Sequence, residues 1–328
     1  MLRSRAQLND RRRGAALVAS LGLLLALTAF ALSSFLLAES AWRSNSHRVR
    51  RMELQAAARE AAELAMQRLA DDEDLLCDHP GEDWAQPAEW ITPGPEAIRV
   101  RLRVDDGSSA FDLNNLALPR EEQRAMAFLM VRDLLQEGGH PHPQSAAGEA
   151  RDAIGRDDGS ANRISRAGRP AGPHRALLSP AEWAGIWDSM PEDGAERSRW
   201  RELLTAHPSP PETPEPVNIN TASEETLRGL LGPQGRVLAA RILRTRESMP
   251  YRSIPDVRGA AEPQRLRFLD VRSRWFNIRV EARAADRGAG LLVTAVRSPE
   301  GSVRVIRWEW TAVEASVEGA EPDGLVGG

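Results

Sequence analysis

His140 and His142 stand two apart in HPHP, Asp71, Asp72 and Glu73 run together, and Thr221, Ser223, Glu224 and Glu225 crowd into TASEE. Each group has side chains capable of metal binding or acid–base work, and each has a simpler reading. Two imidazoles in a proline-rich stretch read as a solvated loop. The three acids fall where a helical pattern ends, and are expected to face water. A hydroxyl residue followed by glutamates before an apolar run is helix-capping chemistry. The one cysteine, Cys77, excludes an intrachain disulfide. No nucleophile elbow, phosphate loop or metal-helix motif occurs. All 43 cationic residues are arginine, which removes the chemistry of Schiff-base and phosphate-loop lysines. The expectation is a protein that is not an enzyme, and a net charge of −4 gives no global field to recruit nucleic acid.

The elements that hold these residues begin with an apolar span. Residues 15 to 38 are twenty-four consecutive uncharged residues behind Arg11, Arg12, Arg13 and Gly14. As a helix they reach about 36 Å, more than the ~30 Å of a bilayer's hydrocarbon and longer than the apolar part of a cleavable signal. The span is expected to stay in the membrane. Arg3, Arg5 and Arg11 to Arg13 precede it and Arg43, Arg48, Arg50 and Arg51 follow it, a slim bias toward a cytoplasmic N-terminus. Helical periodicity continues through Leu54, Ala58, Ala61, Ala65 and Leu69, so one helix is expected from Ala15 to about Leu76.

Alternation marks four strands. Ile98, Val100, Leu102 and Val104 alternate with Arg99, Arg101 and Arg103 before an Asp-Asp-Gly turn, and three more runs occupy 275–284, 291–298 and 302–311. Between them lie helical patterns at 119–137, 179–190, 195–206, 221–231 and 235–248, interrupted by spacers at 138–175 and 207–216. The second spacer, HPSPPETPEP, is expected to be a stiff extended linker. A helical block thus sits inside a small antiparallel sheet, an α+β arrangement, with the tail 312–328 expected to be disordered.

RRRG followed by AALVASLGLLLAL resembles the leader of type IV prepilins, which implies cleavage by a membrane prepilin peptidase between Gly14 and Ala15. Ala19 occupies the position of the usual pilin glutamate. That glutamate neutralises the buried ammonium of a neighbouring subunit, so its absence suits a subunit with no neighbour above it. GSSAFDLNNL, residues 107–116, is similar to the signature that opens the inserted domain of the minor pseudopilins of type II secretion, the protein K family. PVNINTASEETLRGLLGP resembles the helix-hairpin-helix-like segment of that insertion. The resemblance covers residues 11 to 311.

It implies a type IV pilin-like fold: a leader at 1–14, a transmembrane helix at 15–38, and a helix continuation with first strand at 39–111. An inserted helical domain at 112–270 would contain the hairpin-like segment 217–260, with closing strands at 271–311. It implies a single-pass inner-membrane protein with its bulk in the periplasm. The implied partners are two other minor pseudopilins at the pseudopilus tip and the major pseudopilin below. Calcium is implied in the insertion, where Asp152, Asp157 and Asp158 are the positions that would carry over. The rival reading is a membrane-anchored DNA-binding receptor, since such proteins share a nearly identical VNINTA hairpin. Here, however, the turn holds one residue more between Gly232 and Gly235, and Pro233 removes an amide donor. Arg236, Arg241, Arg244 and Arg246 could form a basic face, but arginines at helical spacing are usually solvated, and no nucleic acid is expected.

Overall fold

A computed structural model describes residues 3–93, 97–154, 200, 202–207, 213–257, 262–285 and 287–311, with only the backbone for 3–19. The chain divides into two units, residues 1–56 and 57–328.

The first helix, α1, runs unbroken over Arg3–Ala70. Within the first unit its apolar residues from Leu21 to Leu37 are exposed, and this is the one described helix long and apolar enough to cross a membrane. Within the second unit, Ala58, Ala61, Ala62, Ala65 and Leu69 are fully buried. The helix stops at Ala70, short of the expected Leu76, because aspartates compete for the backbone. Asp72 accepts from the amide of Asp74 at 3.1 Å, and Asp74 from that of Leu76 at 3.2 Å.

Five antiparallel strands follow, in the order β1-β2-β7-β8-β9, where four were expected. The added edge strand, β1 (Ala88–Thr92), is short and bounded by Pro87 and Pro93, which hid it. Strand β2 spans Ile98–Asp106, β7 Trp275–Ala284, β8 Arg287–Arg297 and β9 Val303–Thr311. Val100, Ala282, Ala289 and their neighbours make one apolar face, because pairing such as Leu102↔Val280↔Leu291↔Trp310 keeps like faces together across the sheet. Arg59 of α1 lies 5.4 Å from the Trp310 ring, which sets the helix beside this face. The small residues of the buried stripe permit close packing, and each fully buried Val, Leu or Ile contributes about 1.5–3 kcal/mol.

Strands β2 and β7 are neighbours in space, yet residues 107–274 lie between them in sequence. This block holds α2 (Glu121–Glu137), α3 (Pro143–Ile154), α4 (Glu224–Leu231), α5 (Arg236–Ser248) and the short α6 (Pro263–Leu266). Two parallel two-residue ladders tie its ends: β3 (Phe111–Asp112) pairs with β4 (Leu204–Thr205), and β5 (Val217–Asn218) with β6 (Leu269–Asp270).

Helix α3 falls inside the stretch read as a spacer. It buries Ala146, Ala147, Ala150 and Ile154 on one face, a pattern masked by its glycine and serine content. The helix expected through 206 ends sooner, since Leu204 and Thr205 are extended. Residues 155–199, which carry the other expected helix, and the tail from 312 lie outside the described residues. The core of the block runs from Phe111 and Leu116 through Met130 and Leu134 to Leu230 and Ile242. The rings of Phe111 and Phe268 are 6.0 Å apart.

Candidate functional site

The polar residues that structure concentrates lie where the inserted block leaves and rejoins the sheet. Asp106, the last residue of β2, accepts the amide of Ser108 at 2.7 Å, the Ser273 hydroxyl at 2.5 Å, the Thr221 hydroxyl, and the Asn218 amide at 3.3 Å. Burial pushes its carboxyl up to about 6, against the lowering effect of the two hydroxyls. Asn218 also donates to the Asp78 carbonyl at 3.0 Å and to Ser273 at 2.7 Å. Asn220 pairs with the Tyr251 backbone in both directions, each at 2.9 Å. The polar residues of VNINT are therefore spent inside the protein.

A second knot holds Arg297 at the end of β8. Its guanidinium donates to Asp72 at 2.7 Å and to Asp78, whose other oxygen accepts the Ser273 amide at 2.6 Å. Burial raises the Asp78 carboxyl and Arg297 opposes this. Asp72, expected to face water, is instead drawn into this ion pair, with only 10% of its side chain exposed. Long-range contact overrode the local reading there.

A third set occupies the FDLNNL segment. Asp112 accepts the amides of Asn114 at 2.8 Å and His207 at 3.3 Å, while Asn114 donates to the His207 carbonyl at 2.7 Å. Asn115 exchanges two hydrogen bonds with the Glu215 backbone, at 2.8 and 3.0 Å. The His207 ring stacks on Trp275 with centroids 4.5 Å apart, and its Nε2 lies 3.0 Å from the Gly107 carbonyl. Burial raises the Asp112 carboxyl to about 8 and lowers His207 to about 4. The two ends of the segment expected to be a stiff extended linker are thus anchored at His207 and Glu215.

In the segment 217–260, Ser223 caps α4 by accepting the amide of Thr226 at 3.0 Å. Gly232 takes φ +69°, a backbone shape that glycine adopts without strain. Against it lies the buried guanidinium of Arg265, donating to the Leu230 carbonyl at 2.9 Å and to Asp133 at 2.8 Å. This cation supplements the end of α4, where carbonyls lack helical partners. Of the four arginines that could form a basic face, Arg246 is turned onto the carbonyls of Ile219 and Ala222, both at 2.7 Å, and Arg236 pairs with Glu137 at 2.5 Å. Arg241 and Arg244 are exposed.

Gly14, Ala15 and Ala19 are helical in backbone, with side chains outside the described residues. Asp152 is exposed on α3, 3.7 Å from Arg151, while Asp157 and Asp158 lie outside the described residues. Calcium takes six to eight oxygens, and of the three carboxylates named for it only Asp152 falls among the described residues. Elsewhere Asp72, Asp78 and Glu82 each bring an oxygen within 4.8 Å of the others. Arg297 already meets the charge of the first two. Glu82 accepts from the His79 amide at 2.9 Å and the Trp84 indole at 2.7 Å. Burial raises its carboxyl to about 7.

His140, expected in a solvated loop, has its ring 4.5 Å from that of Trp200. The sequence reading missed Asp78, Asp106, Asp112, His207, Arg265 and Arg297. Asp106 and Asp112 each cap a short turn through the amide two residues on, but the partners that tie all six into the fold lie 35 or more residues away.

No family model matches the chain, and no curated protein matches it. A solved structure does: a chain in the crystal structure of the GspK-GspI-GspJ complex from the enterotoxigenic Escherichia coli type 2 secretion system. The two are 19% identical, with a TM-score of 0.64 over 83% of this chain and 100% of that one. At that identity the likeness concerns the fold: a pilin-like α+β architecture of N-terminal helix, antiparallel sheet and inserted helical block.

Proposed function

We propose that this chain is a minor pseudopilin of a type II secretion system, held in the inner membrane by α1 with residues beyond the span in the periplasm. It acts by assembly and not by catalysis. The observation that carries this reading is the 168-residue excursion between the paired strands β2 and β7, residues 107–274, in a chain that carries a leader-like RRRG at 11–14 ahead of an apolar helix. The neighbour of like fold belongs to a complex named for three components, GspK, GspI and GspJ. That supports a role beside other minor pseudopilins; a major pseudopilin below belongs to the proposal alone. Ala19 in the glutamate position favours the tip, because a terminal subunit has no overlying ammonium to neutralise.

Co-expression with a prepilin peptidase tests the reading. Intact-mass measurement should show loss of residues 1–14, and Gly14→Ala should abolish the loss. A chain left whole, or cut after Ala38, overturns it.

A further inference from the structure

The stretch of α1 just past the apolar span carries an exposed basic face. Arg43, His47, Arg48 and Arg51 recur at helical spacing and all are exposed. Two acids flank the face: Glu39 pairs with Arg43 at 2.5 Å and Glu53 with Arg50 at 3.0 Å. Four arginines, Arg43, Arg48, Arg50 and Arg51, against two glutamates leave net positive charge. A groove along the same face runs from Leu36 through Ser40 and Ser44 to these cations.

We propose that this face binds the headgroups of anionic phospholipids. The claim rests on reading α1 as a membrane anchor. The order of chemistry along the groove is that of a lipid met end-on: an apolar side chain, then hydroxyls, then guanidinium groups. Position agrees. Arg43 stands about 7.5 Å beyond Ala38, at headgroup depth, and Arg51 about 20 Å beyond it. An apolar stretch of about 36 Å in a ~30 Å core is accommodated by tilt, which lowers one flank of the continuing helix toward the surface. Cations within a Debye length, about 8 Å, of a surface holding anionic lipid are attracted to it, which reaches Arg43 directly and the more distant Arg48 and Arg51 through that tilt. Trp42, 71% exposed, sits where an interfacial aromatic is favoured.

The test uses the full chain reconstituted in phosphatidylcholine vesicles containing spin-labelled phosphatidylglycerol or spin-labelled phosphatidylcholine. Motionally restricted label reports lipid held at the protein. The expected result is a preference for phosphatidylglycerol that weakens with salt and falls about tenfold in the triple variant Arg43→Gln, Arg48→Gln, Arg51→Gln. An equal preference for both lipids, or a triple variant that keeps the wild-type preference, overturns the proposal. So does a triple variant with unchanged lipid preference that fails to co-purify with other pseudopilins, which would assign the face to protein contact. Carbonate extraction separates the two failures. A chain washed from the membrane defeats the anchor reading, whereas a retained chain without lipid preference defeats this proposal alone.

Discussion

Thr221, within the segment that resembles a DNA-binding hairpin, donates its hydroxyl to the carboxylate of Asp106, the last residue of β2. One hydrogen bond thus joins the inserted helical block to the sheet at the point where the chain leaves it. Ser273, just before the chain rejoins the sheet at β7, donates to the same carboxylate. Asp106→Ala strips the acceptor from both hydroxyls and from the Ser108 amide, and should cost about 2–4 kcal/mol, since buried donors left without partners are penalised about 1–3 kcal/mol each. Urea denaturation of the detergent-solubilised chain measures this. A change under 0.5 kcal/mol would show that the junction does not depend on the carboxylate.

Arg297 is the only cation bound to Asp72 and Asp78 among the described residues. Arg297→Met leaves Asp78 buried and uncompensated, and a loss of about 3–5 kcal/mol is expected. Adding Asp78→Asn should recover part of that loss, because the stranded charge is removed with its partner. A double variant as unstable as the sum of the two single variants would contradict the ion-pair account.

Asp112 sets a pH dependence whose sign follows from its environment. Burial raises the folded carboxyl to about 8 from an ordinary value of 3.8. The folded state therefore holds the proton over a range where the unfolded chain has lost it. The stability this contributes is fully present below about pH 4 and is lost as pH rises through 8. His207 works the other way: its value, lowered to about 4, contributes stability above 6.5 that is lost as pH falls through 4. From pH 6.5 to 8 the carboxyl dominates, so stability should fall with rising pH by at most about 1.4 kcal/mol per unit from this group. Asp112→Asn should reduce that fall in denaturation midpoints across the window, leaving the smaller part due to Glu82, whose carboxyl is raised to about 7. An unchanged slope in the variant rules the residue out as the source.

Gly229 and Gly148 make a matched pair of helical glycines. A methyl group on Gly229 would meet Leu134 of α2 at 2.7 Å, including its backbone Cα at 2.8 Å, whereas one on Gly148 meets nothing within 4 Å. Gly229→Ala should destabilise by about 1–3 kcal/mol through overpacking, and Gly148→Ala should stabilise by up to about 1 kcal/mol. Thermal melting distinguishes them, and equal effects of like sign would refute the packing of α2 on α4.

Two arginines of α5 should separate architecture from recognition. Arg246→Gln removes a cation from the carbonyls of Ile219 and Ala222 and should cost about 1.5–3 kcal/mol. Arg241→Gln, at an exposed position, should stay within about 0.5 kcal/mol of wild type. Neither the parent chain nor the Arg241 variant should be retained on a DNA column at moderate salt. Salt-dependent retention that Arg241→Gln weakens would revive the nucleic-acid reading.

Periodicity alone disclosed the helix through Leu69 and the strands built on Ile98 to Val104, Trp275 to Ala284, and 303 to 311, because a single buried face imprints its repeat on adjacent residues. It also disclosed an insertion, since helical patterns interrupt alternating ones. The short edge strand at Ala88 and helix α3 left weaker imprints, one clipped by prolines and the other diluted by small residues. The polar junction left none. Asp78, Asp106, Asp112 and Arg297 look like ordinary loop and turn charges until the chain folds, and their partners stand about 95 to 219 positions away in sequence. Hydrogen bonds at that separation are set by which strands become neighbours, and no local repeat encodes that pairing. The same holds for the segment 217–260: whether its arginines face solvent or their own backbone depended on the packing of α5 against the turn before α4.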